Sequence, residues 1–472
     1  MITFCARFCL FIIFSALVSL TCQAQADEQL PRGALIEKVV CRNNPSYSYA
    51  LYLPSGYTPE KKWPVLYLFD PFARGRVPVE VFSEAAEHNG YLLVGSNNSQ
   101  NNISAEKLSE IISSVWADTH ARLSLDEKRA YAAGLSGGAR VATYFASSCR
   151  GCVAGVIVCG ATFPSKFPLD KQLPFAVYGL AGFDDFNYPE LVKTFDKLMK
   201  NGTPSHLKVF EGRHGWPPKE LASDALAWLN LRAMKDGRLE MDKSFVEALL
   251  AQQLKEAQAQ LQKGDVLTAA RMYETLVSDF KDISDTRAAA EKLVELRRQK
   301  SFQKSLDEEK KAFDEQQRAA QGILAMSADL LEPANEGAAL RKISVEIESW
   351  RERTKEAEDS SRRRLARRVL EQVVIEAYET ALYVNERQKD YKMMIANMEL
   401  TRLVNPQSSN AAFDLARAFV LDNRKKDSLN ALEQAVKNGF ADCARINAQA
   451  EWKSLRADKG FQNIISRLHC AD

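Results

Sequence analysis

A serine at the centre of a Gly-x-Ser-x-Gly pentapeptide is the residue of this sequence best suited to chemistry. Ser136 lies between Gly134 and Gly138, directly after the apolar run 129–133, a pattern that predicts a strand, a tight turn and a helix. A serine at such a turn has an exposed hydroxyl, and the flanking glycines let neighbouring elements approach closely. The following helix would direct unpaired N–H groups at a developing oxyanion. The pattern therefore predicts that Ser136 attacks an acyl carbon.

Two downstream loops supply residues that could complete a proton relay. Asp184 and Asp185 follow the apolar run 175–179, and His214 follows a second apolar run. The carboxyl ends of parallel strands meet at one edge of a sheet, so these loops should lie near the serine. The histidine would accept the serine proton, and a carboxylate would orient the imidazole. We predict Asp185 as the acid, because its spacing from Gly182 favours it, with Asp184 as the alternative.

These motifs resemble the serine esterases of the α/β-hydrolase superfamily, particularly the secreted type related to polyhydroxybutyrate depolymerases, feruloyl esterases and predicted peptidases. The matching segments are 68–75, 94–99, 134–138, 182–188 and 212–216. Alternating strand and helix patterns predict an α/β fold with a doubly wound, mainly parallel sheet, and the resemblance implies the same fold. It also implies a triad of Ser136, Asp185 and His214 that acts on a small-molecule or polymer ester, and we expect no cofactor.

The resemblance further implies two backbone N–H groups that bind the oxyanion. One belongs to Gly137, directly after the serine, and the other to the loop after the third strand. Pro71 has no N–H, so Phe72 is the predicted second donor and Ala73 the next choice.

Three polar residues in nearby loops could bind substrate. Arg74 could bind an anionic group, although a loop arginine is often simply solvated. Asn97 and Asn98 follow the next predicted strand, where their amides could line the cleft. An ordinary turn-rich loop would also contain such residues.

The N-terminal segment 1–26 has the pattern of a secretory signal peptide. Arg7 precedes an apolar stretch too short for a confident membrane span, and Ala24-Gln25-Ala26 provides a cleavage site. Lipidation at Cys22 is the less favoured alternative. We therefore expect a periplasmic or secreted protein, with no transmembrane span after the signal is removed.

Export would place the remaining cysteines in an oxidising compartment. Cys149 and Cys152 predict a structural disulfide or a pair of buried thiols, and Cys443 with Cys470 could staple the C-terminus. Neither cysteines nor histidines have the spacing of a metal site.

The second half of the chain changes in character. Strand patterns vanish after residue 236, so we predict a hydrolase domain over 27–236 and an all-α domain over 237–472. The spacing in 254–280 and 410–440 is typical of tetratricopeptide-like helix pairs. The highly charged stretch 300–368 predicts long amphipathic helices with solvated charges.

Several functions are compatible with this organisation. The helical domain could bind a protein partner, cover the catalytic site or only stabilise the hydrolase. The net charge of +2, with acids and bases interspersed, gives no indication of nucleic-acid binding. The leading hypothesis is an exported serine hydrolase acting on a carboxylic ester. The alternatives are a peptidase of the same fold and a non-catalytic helical-repeat interaction protein with a relic hydrolase domain.

Overall fold

The computed structural model of the chain describes residues 30–149, 151–332, 334–357 and 360–468. The predicted signal peptide lies outside the described residues. The described chain contains eight strands: β1 (Leu35–Val40), β2 (Ser48–Tyr52), β3 (Trp63–Phe69), β4 (Leu92–Ser96), β5 (Leu125–Leu135), β6 (Gly155–Cys159), β7 (Ala176–Gly182) and β8 (Ser205–Phe210).

All eight strands form one sheet in the order β1-β2-β4-β3-β5-β6-β7-β8. The pairs β1–β2 and β2–β4 are antiparallel, whereas every pairing from β4 through β3 to β8 is parallel. Every residue of β3, β4, β6 and β7 is buried, as expected for strands covered on both faces. The predicted mainly parallel, doubly wound sheet is thus confirmed, and its topology fits an α/β-hydrolase fold.

Helices cover both faces of the sheet. The helices that alternate with the strands are α1 (Arg76–Asn89), α2 (Ala105–Arg122), α3 (Gly137–Ser148), α4 (Tyr188–Lys200) and α5 (Lys219–Lys235). Phe82 of α1 and Trp228 of α5 belong to the apolar cluster on one face. Val115 of α2 and Phe145 of α3 belong to the cluster on the other face. These crossovers connect the parallel strands and bring their carboxyl ends to a common edge.

After β8 the described chain is helical. Its helices are α6 (Lys243–Gln262), α7 (Val266–Phe280), α8 (Arg287–Arg298), α9 (Lys300–Ala325), α10 (Glu336–Arg353), α11 (Ser361–Glu379), α12 (Glu386–Gln388), α13 (Tyr391–Val404), α14 (Ser409–Leu421), α15 (Lys425–Lys437), α16 (Cys443–Ala448) and α17 (Lys459–Ile465). A π-helical turn covers Thr380–Asn385, and 3₁₀ turns cover Met326–Leu331, Ala450–Ser454 and Ser466–Leu468.

The apolar core of the sheet continues into the helical half. Leu249 of α6 and Tyr273 of α7 belong to the same buried cluster as Trp228 of α5. Helices α9, α10 and α11 form a separate cluster around Ile347 and Val369. The two halves of the chain therefore share buried apolar surface beyond residue 236. The predicted tetratricopeptide-like segments form the helix pairs α6–α7 and α14–α15, and their assignment to that repeat family stays a prediction.

The cysteines fall into two groups. Cys149 and Cys152 form the predicted disulfide, and Cys41 and Cys159 are buried free thiols. Cys443 is also disulfide-bonded, and its predicted partner Cys470 lies outside the described residues. Within the described ranges, no group of side chains has the arrangement of a metal site, and no helix is both long and apolar enough to cross a bilayer.

Candidate active site

Ser136 lies at the sharp junction between β5 and α3. Its backbone has φ 53° and ψ −121°, a left-handed conformation that is uncommon for a residue with a side chain. The Ser136 N–H donates to the carbonyl of Cys159 at the end of β6, at 2.8 Å. This bond fixes the strained turn to the neighbouring strand, so the hydroxyl is presented at the carboxyl edge of the sheet.

The glycines on either side of Ser136 are required by close backbone contacts. A Cβ built on Gly134 would lie 2.1 Å from the Gly138 carbonyl carbon, and one built on Gly138 would lie 2.0 Å from the Phe69 oxygen. Any side chain at either position would therefore displace α3 from β5 or β3. The Gly-x-Ser-x-Gly spacing is thus a packing requirement of this turn.

The histidine and its acid are hydrogen-bonded. His214 Nδ1 lies 2.9 Å from Asp185 Oδ1 and 3.0 Å from Oδ2, and the Asp185 side chain is almost fully buried. The Asn187 N–H also donates to Asp185 Oδ1, at 2.8 Å. A carboxylate accepts at both oxygens, so Nδ1 carries the proton and Nε2 is left to act as base. Asp184, the alternative acid, instead accepts a hydrogen bond from Arg367.

Gly160 connects the serine to the histidine–aspartate pair. It follows Cys159, whose carbonyl accepts the Ser136 N–H, and it has φ 63°. A Cβ built on Gly160 would lie 2.9 Å from both Asp185 Oδ2 and His214 Nδ1. Within the described chain, Ser136 and His214 are not hydrogen-bonded to each other. Catalytic hydrogen bonds are often long without substrate and shorten when it binds.

The environment of His214 favours the protonated imidazole. Burial alone would lower the pKa of His214, but the hydrogen bond and charge of Asp185 outweigh burial. The charges of Glu371 and Glu379 act in the same direction, and the pKa is raised above its ordinary value of 6.5. An imidazole with this preference can accept a proton from serine and hold it as imidazolium.

The loop after β3 differs from the prediction at its backbone donors. The Phe72 N–H donates to Asp70 Oδ1 at 2.9 Å, and the Ala73 N–H donates to the Asp70 carbonyl at 3.2 Å. Both candidate donors are therefore engaged within their own loop. The Gly137 N–H therefore remains the predicted oxyanion donor. The Asn101 side chain lies beside Gly137, because a Cβ built on Gly137 would be 1.8 Å from Asn101 Oδ1. Asn101 belongs to the same amide-rich loop, 96–102, as the predicted Asn97 and Asn98.

The three predicted substrate-binding side chains have structural partners. Arg74 pairs with Asp70, at 2.9 Å from Nε to Oδ1. The Asn97 amide donates to the Glu37 carbonyl at 3.1 Å, and Asn98 Oδ1 accepts the Ser48 N–H at 2.8 Å. The two asparagines thus bond to the antiparallel strands β1 and β2. Because all three side chains have structural partners, we do not include them in the proposed substrate-binding site.

Helix α11, which sequence reasoning did not connect with the site, contacts the loop that contains Asp185. Arg367 pairs with Asp184, and the Arg364 guanidinium stacks over the Phe183 ring at 4.2 Å. Arg368 is buried, so the expectation that the charges of 300–368 are solvated is wrong here. The expectation failed because a charged helix face has the same pattern whether it contacts water or polar groups of the same protein.

Two further side chains of the helical half approach the catalytic edge. Glu371 Oε1 lies 4.0 Å from Arg213 Nε, next to His214 in sequence. Burial raises the pKa of Glu371 to about 7, and the positive charge of Arg213 only partly opposes that rise. Burial also raises the pKa of Tyr383, in the π-helical turn, and a hydrogen bond with Asn102 partly offsets it. The helical half therefore reaches both the acid loop and the loop after β4.

A cavity of about 330 Å³ lies elsewhere, between β8, α4 and the helices α6 and α7. Its lining includes His206, Lys208, Glu256 and Arg271, but none of the predicted triad residues. Lys208 of β8 pairs with Glu256 of α6 within this cavity, so these two charges neutralise each other across the hydrolase and helical halves of the chain. We therefore place the candidate active site at Ser136 and not in this cavity.

No family model matches this sequence, and no curated protein matches it either. Solved structures do match over the first half. S-formylglutathione hydrolase (FrmB) from Staphylococcus aureus is 17% identical with a TM-score of 0.35, over 42% of this chain and 98% of that chain. A feruloyl esterase module from Clostridium thermocellum, complexed with sinapinate, is 16% identical with a TM-score of 0.35, over 41% and 86%. Esterase LipW from Mycobacterium marinum is 18% identical with a TM-score of 0.34, over 42% and 82%.

Proposed function

We propose that this protein is a serine hydrolase that cleaves a carboxylic ester through an acyl-enzyme on Ser136. The observation that carries the proposal is the meeting, around Cys159 and Gly160, of a strained serine turn and a hydrogen-bonded Asp185–His214 pair. Each element alone could be structural. Their convergence at the carboxyl edge of one parallel sheet is the arrangement that nucleophilic acyl transfer requires.

The reaction follows from these groups. Ser136 Oγ attacks the ester carbonyl and forms a bond to its carbon, while His214 Nε2 takes the serine proton. The negative charge that develops on the carbonyl oxygen is stabilised by the Gly137 N–H, a contribution typically worth about 3 kcal/mol. The bond to the leaving alcohol then breaks, and the imidazolium donates its proton to that alcohol. Water repeats the sequence on the acyl-enzyme and releases the acid, while Asp185 supports the imidazolium in both halves.

The proposal includes export and a covering role for the helical half. The pattern of residues 1–26 supports a cleaved signal peptide, and the disulfide between Cys149 and Cys152 suits an oxidising compartment. The contacts of α11 with the acid loop favour covering of the site over a role that is confined to partner binding. Cell fractionation with N-terminal sequencing of the mature protein tests the export.

Covalent labelling tests the chemistry. The full chain should react with a fluorophosphonate and should hydrolyse p-nitrophenyl acetate and butyrate, and Ser136→Ala should abolish both reactions. Ser147→Ala is the matched control, because Ser147 lies in α3 and its hydroxyl only donates to the Thr143 carbonyl. Labelling that persists in Ser136→Ala would refute the nucleophile. A much faster turnover of peptide amides than of short esters would support the peptidase instead.

A further inference from the structure

A hydrogen-bond network from the helical half reaches the main chain of the acid loop. Gln316 of α9 donates its Nε2 to the Phe186 carbonyl at 2.8 Å. Arg368 of α11 donates its Nη1 to the Phe183 carbonyl at 2.9 Å. These two carbonyls flank Asp184 and Asp185 in the chain. The helical half therefore restrains the acid loop on both sides of the predicted catalytic carboxylate.

The donors of this network are buried and connected to each other. Gln316 is 3% exposed and Arg368 is 5% exposed. Arg368 Nε donates to Gln316 Oε1 at 2.9 Å, and Gln316 Nε2 also contacts Gln372 Oε1 at 3.0 Å. A buried polar group without a partner costs free energy, so each member holds the others in one geometry. The network is consequently a rigid support rather than a surface contact.

Arg368 has no carboxylate within salt-bridge distance among the described residues. Its guanidinium is satisfied by the Phe183 carbonyl and by Gln316, and it lies 5.4 Å from the centre of the Tyr188 ring. Burial of a cation without a close counterion is costly. Because the Phe183 carbonyl is one of its two hydrogen-bond partners, moving the acid loop would leave part of this buried guanidinium unsatisfied. This cost restrains the loop more strongly than a neutral contact would.

The hydrolase half also holds the acid loop, because the Phe183 N–H donates to the Phe210 carbonyl and the Asp184 N–H donates to the Gly212 carbonyl, each at 2.9 Å. The Asp185 N–H donates to the Gly182 carbonyl at 3.1 Å, and the Tyr188 N–H donates to the Asp185 carbonyl at 2.9 Å. These bonds define the turn, but the carbonyls of Phe183 and Phe186 are bound by Arg368 and Gln316. The orientation of the turn relative to His214 thus depends on both halves of the chain.

We propose that Gln316 and Arg368 are positioning residues that hold the acid loop so that Asp185 meets His214 in hydrogen-bonding geometry. This inference rests on the proposed function, in that Asp185 is the acid of the triad. It assigns the helical half a part in catalysis through the loop, without contact with the reacting atoms. A displacement of about 1 Å in a catalytic group can reduce a rate by roughly a hundredfold, so such support has a measurable consequence.

The test compares Gln316→Leu with Glu256→Gln in the full chain. Glu256 also pairs across the two halves, with Lys208, but away from the acid loop. Two quantities are measured: the pH dependence of fluorophosphonate labelling, and the pKa of the His214 imidazole by NMR of its Cε1–H resonance. The resonance is assigned with His214→Gln and needs no catalytic activity. If Gln316→Leu does not fold, Arg368→Lys replaces it. Lysine keeps the positive charge but lacks the guanidinium that donates to both the Phe183 carbonyl and Gln316 Oε1.

Gln316→Leu should slow labelling roughly tenfold or more and lower the pKa of His214 by at least about half a unit, because a weakened Asp185 bond favours imidazolium less. Glu256→Gln should change neither. The positioning role would be overturned if Gln316→Leu left the labelling rate and the pKa of His214 unchanged. It would also be overturned if Glu256→Gln lowered both by the same amounts. Suppose that the wild-type chain is not labelled, while the pKa of His214 is still lower in Gln316→Leu than in the wild type. In that case the positioning role stands and the proposed function fails.

Discussion

Asp70 accepts a 2.9 Å hydrogen bond from the indole N–H of Trp216 and thereby joins the loop after β3 to the loop that contains His214. The same buried carboxylate accepts the Phe72 N–H and pairs with Arg74. One side chain thus determines the conformation of two loops that border the serine turn. The Asp70 carboxylate therefore accepts from a backbone N–H, a guanidinium and an indole N–H, and both of its oxygens are engaged.

Replacement of Asp70 should therefore lower the stability of the protein. We expect Asp70→Asn to lower the free energy of unfolding by about 1–3 kcal/mol, because the charge-assisted bonds to Arg74 and Trp216 are weakened. Urea unfolding of the full chain measures this loss. Glu37→Gln is the matched control, since Glu37 pairs with Arg76 on the exposed surface, and its loss should be below about 1 kcal/mol. Equal losses in the two variants would contradict the assigned role of Asp70.

A methyl group at Gly160 should disable the site while the sheet still forms. In Gly160→Ala the new Cβ would crowd Asp185 and His214, and the positive φ would be strained as well. We expect kcat/KM for p-nitrophenyl butyrate to fall roughly a hundredfold. Gly215→Ala is the control, because a Cβ at Gly215 meets open space although it lies next to His214. If Gly160→Ala were about as active as Gly215→Ala, the Asp185–His214 pair would not depend on its close approach to Gly160.

The two neighbouring aspartates should differ sharply in their effect on rate. Asp185→Asn removes the carboxylate that orients His214, and we expect kcat to fall by about 10⁴. Asp184→Asn weakens the pair with Arg367 but leaves the bond between Asp185 and His214 in place, so its kcat should fall far less than that of Asp185→Asn. Steady-state ester hydrolysis by both variants decides between them. A larger loss in Asp184→Asn would reverse our assignment of the acid.

The labelling rate should depend on pH through His214. The imidazole acts as base only when neutral, so the rate rises with pH, and its midpoint should lie above 6.5 because the pKa is raised. Glu371 gains its negative charge as the pH rises through about 7, and that charge favours imidazolium. Glu371→Gln removes it, so the midpoint should move to lower pH. Labelling from pH 5 to 9 measures both midpoints. Glu308→Gln is the control, because Glu308 pairs with Lys304 on the exposed surface of α9. An upward shift in Glu371→Gln would contradict the proposed electrostatics.

Glu371 should also make stability depend on pH. Its folded pKa of about 7 lies above its ordinary value of 4.5, so the folded state favours the protonated carboxyl. The wild-type chain should therefore lose up to roughly 3 kcal/mol of stability as the pH rises from 4.5 through 7, and Glu371→Gln should lack this loss. Unfolding at pH 5 and pH 8 measures the difference between the two proteins. A wild-type chain that is relatively more stable at pH 8 would contradict the prediction.

The mainly parallel sheet and the serine turn could be predicted from local pattern. Buried parallel strands are continuous apolar runs, and the close contacts of Gly134 and Gly138 admit only glycine, so both features are visible in sequence. The loops of Asp185 and His214 follow such runs, and strand ends at one sheet edge converge. Local pattern, together with the resemblance to serine esterases, therefore predicted His214 and favoured Asp185 over Asp184, and the structure joins His214 to Asp185 by a hydrogen bond.

The partners of the surrounding polar groups were decided only by tertiary structure. Nothing local to Phe72 or Asn97 indicates that the first donates to Asp70 or that the second binds the Glu37 carbonyl. Likewise, Gln316 lies 130 residues from Phe186, and a charged helix shows no sign of whether its polar face contacts water or protein. Hydrogen bonds depend on where distant segments meet, whereas strands, turns and glycine contacts depend on neighbours in the chain. The candidate catalytic residues could therefore be predicted from the sequence, and the groups that hold them could not.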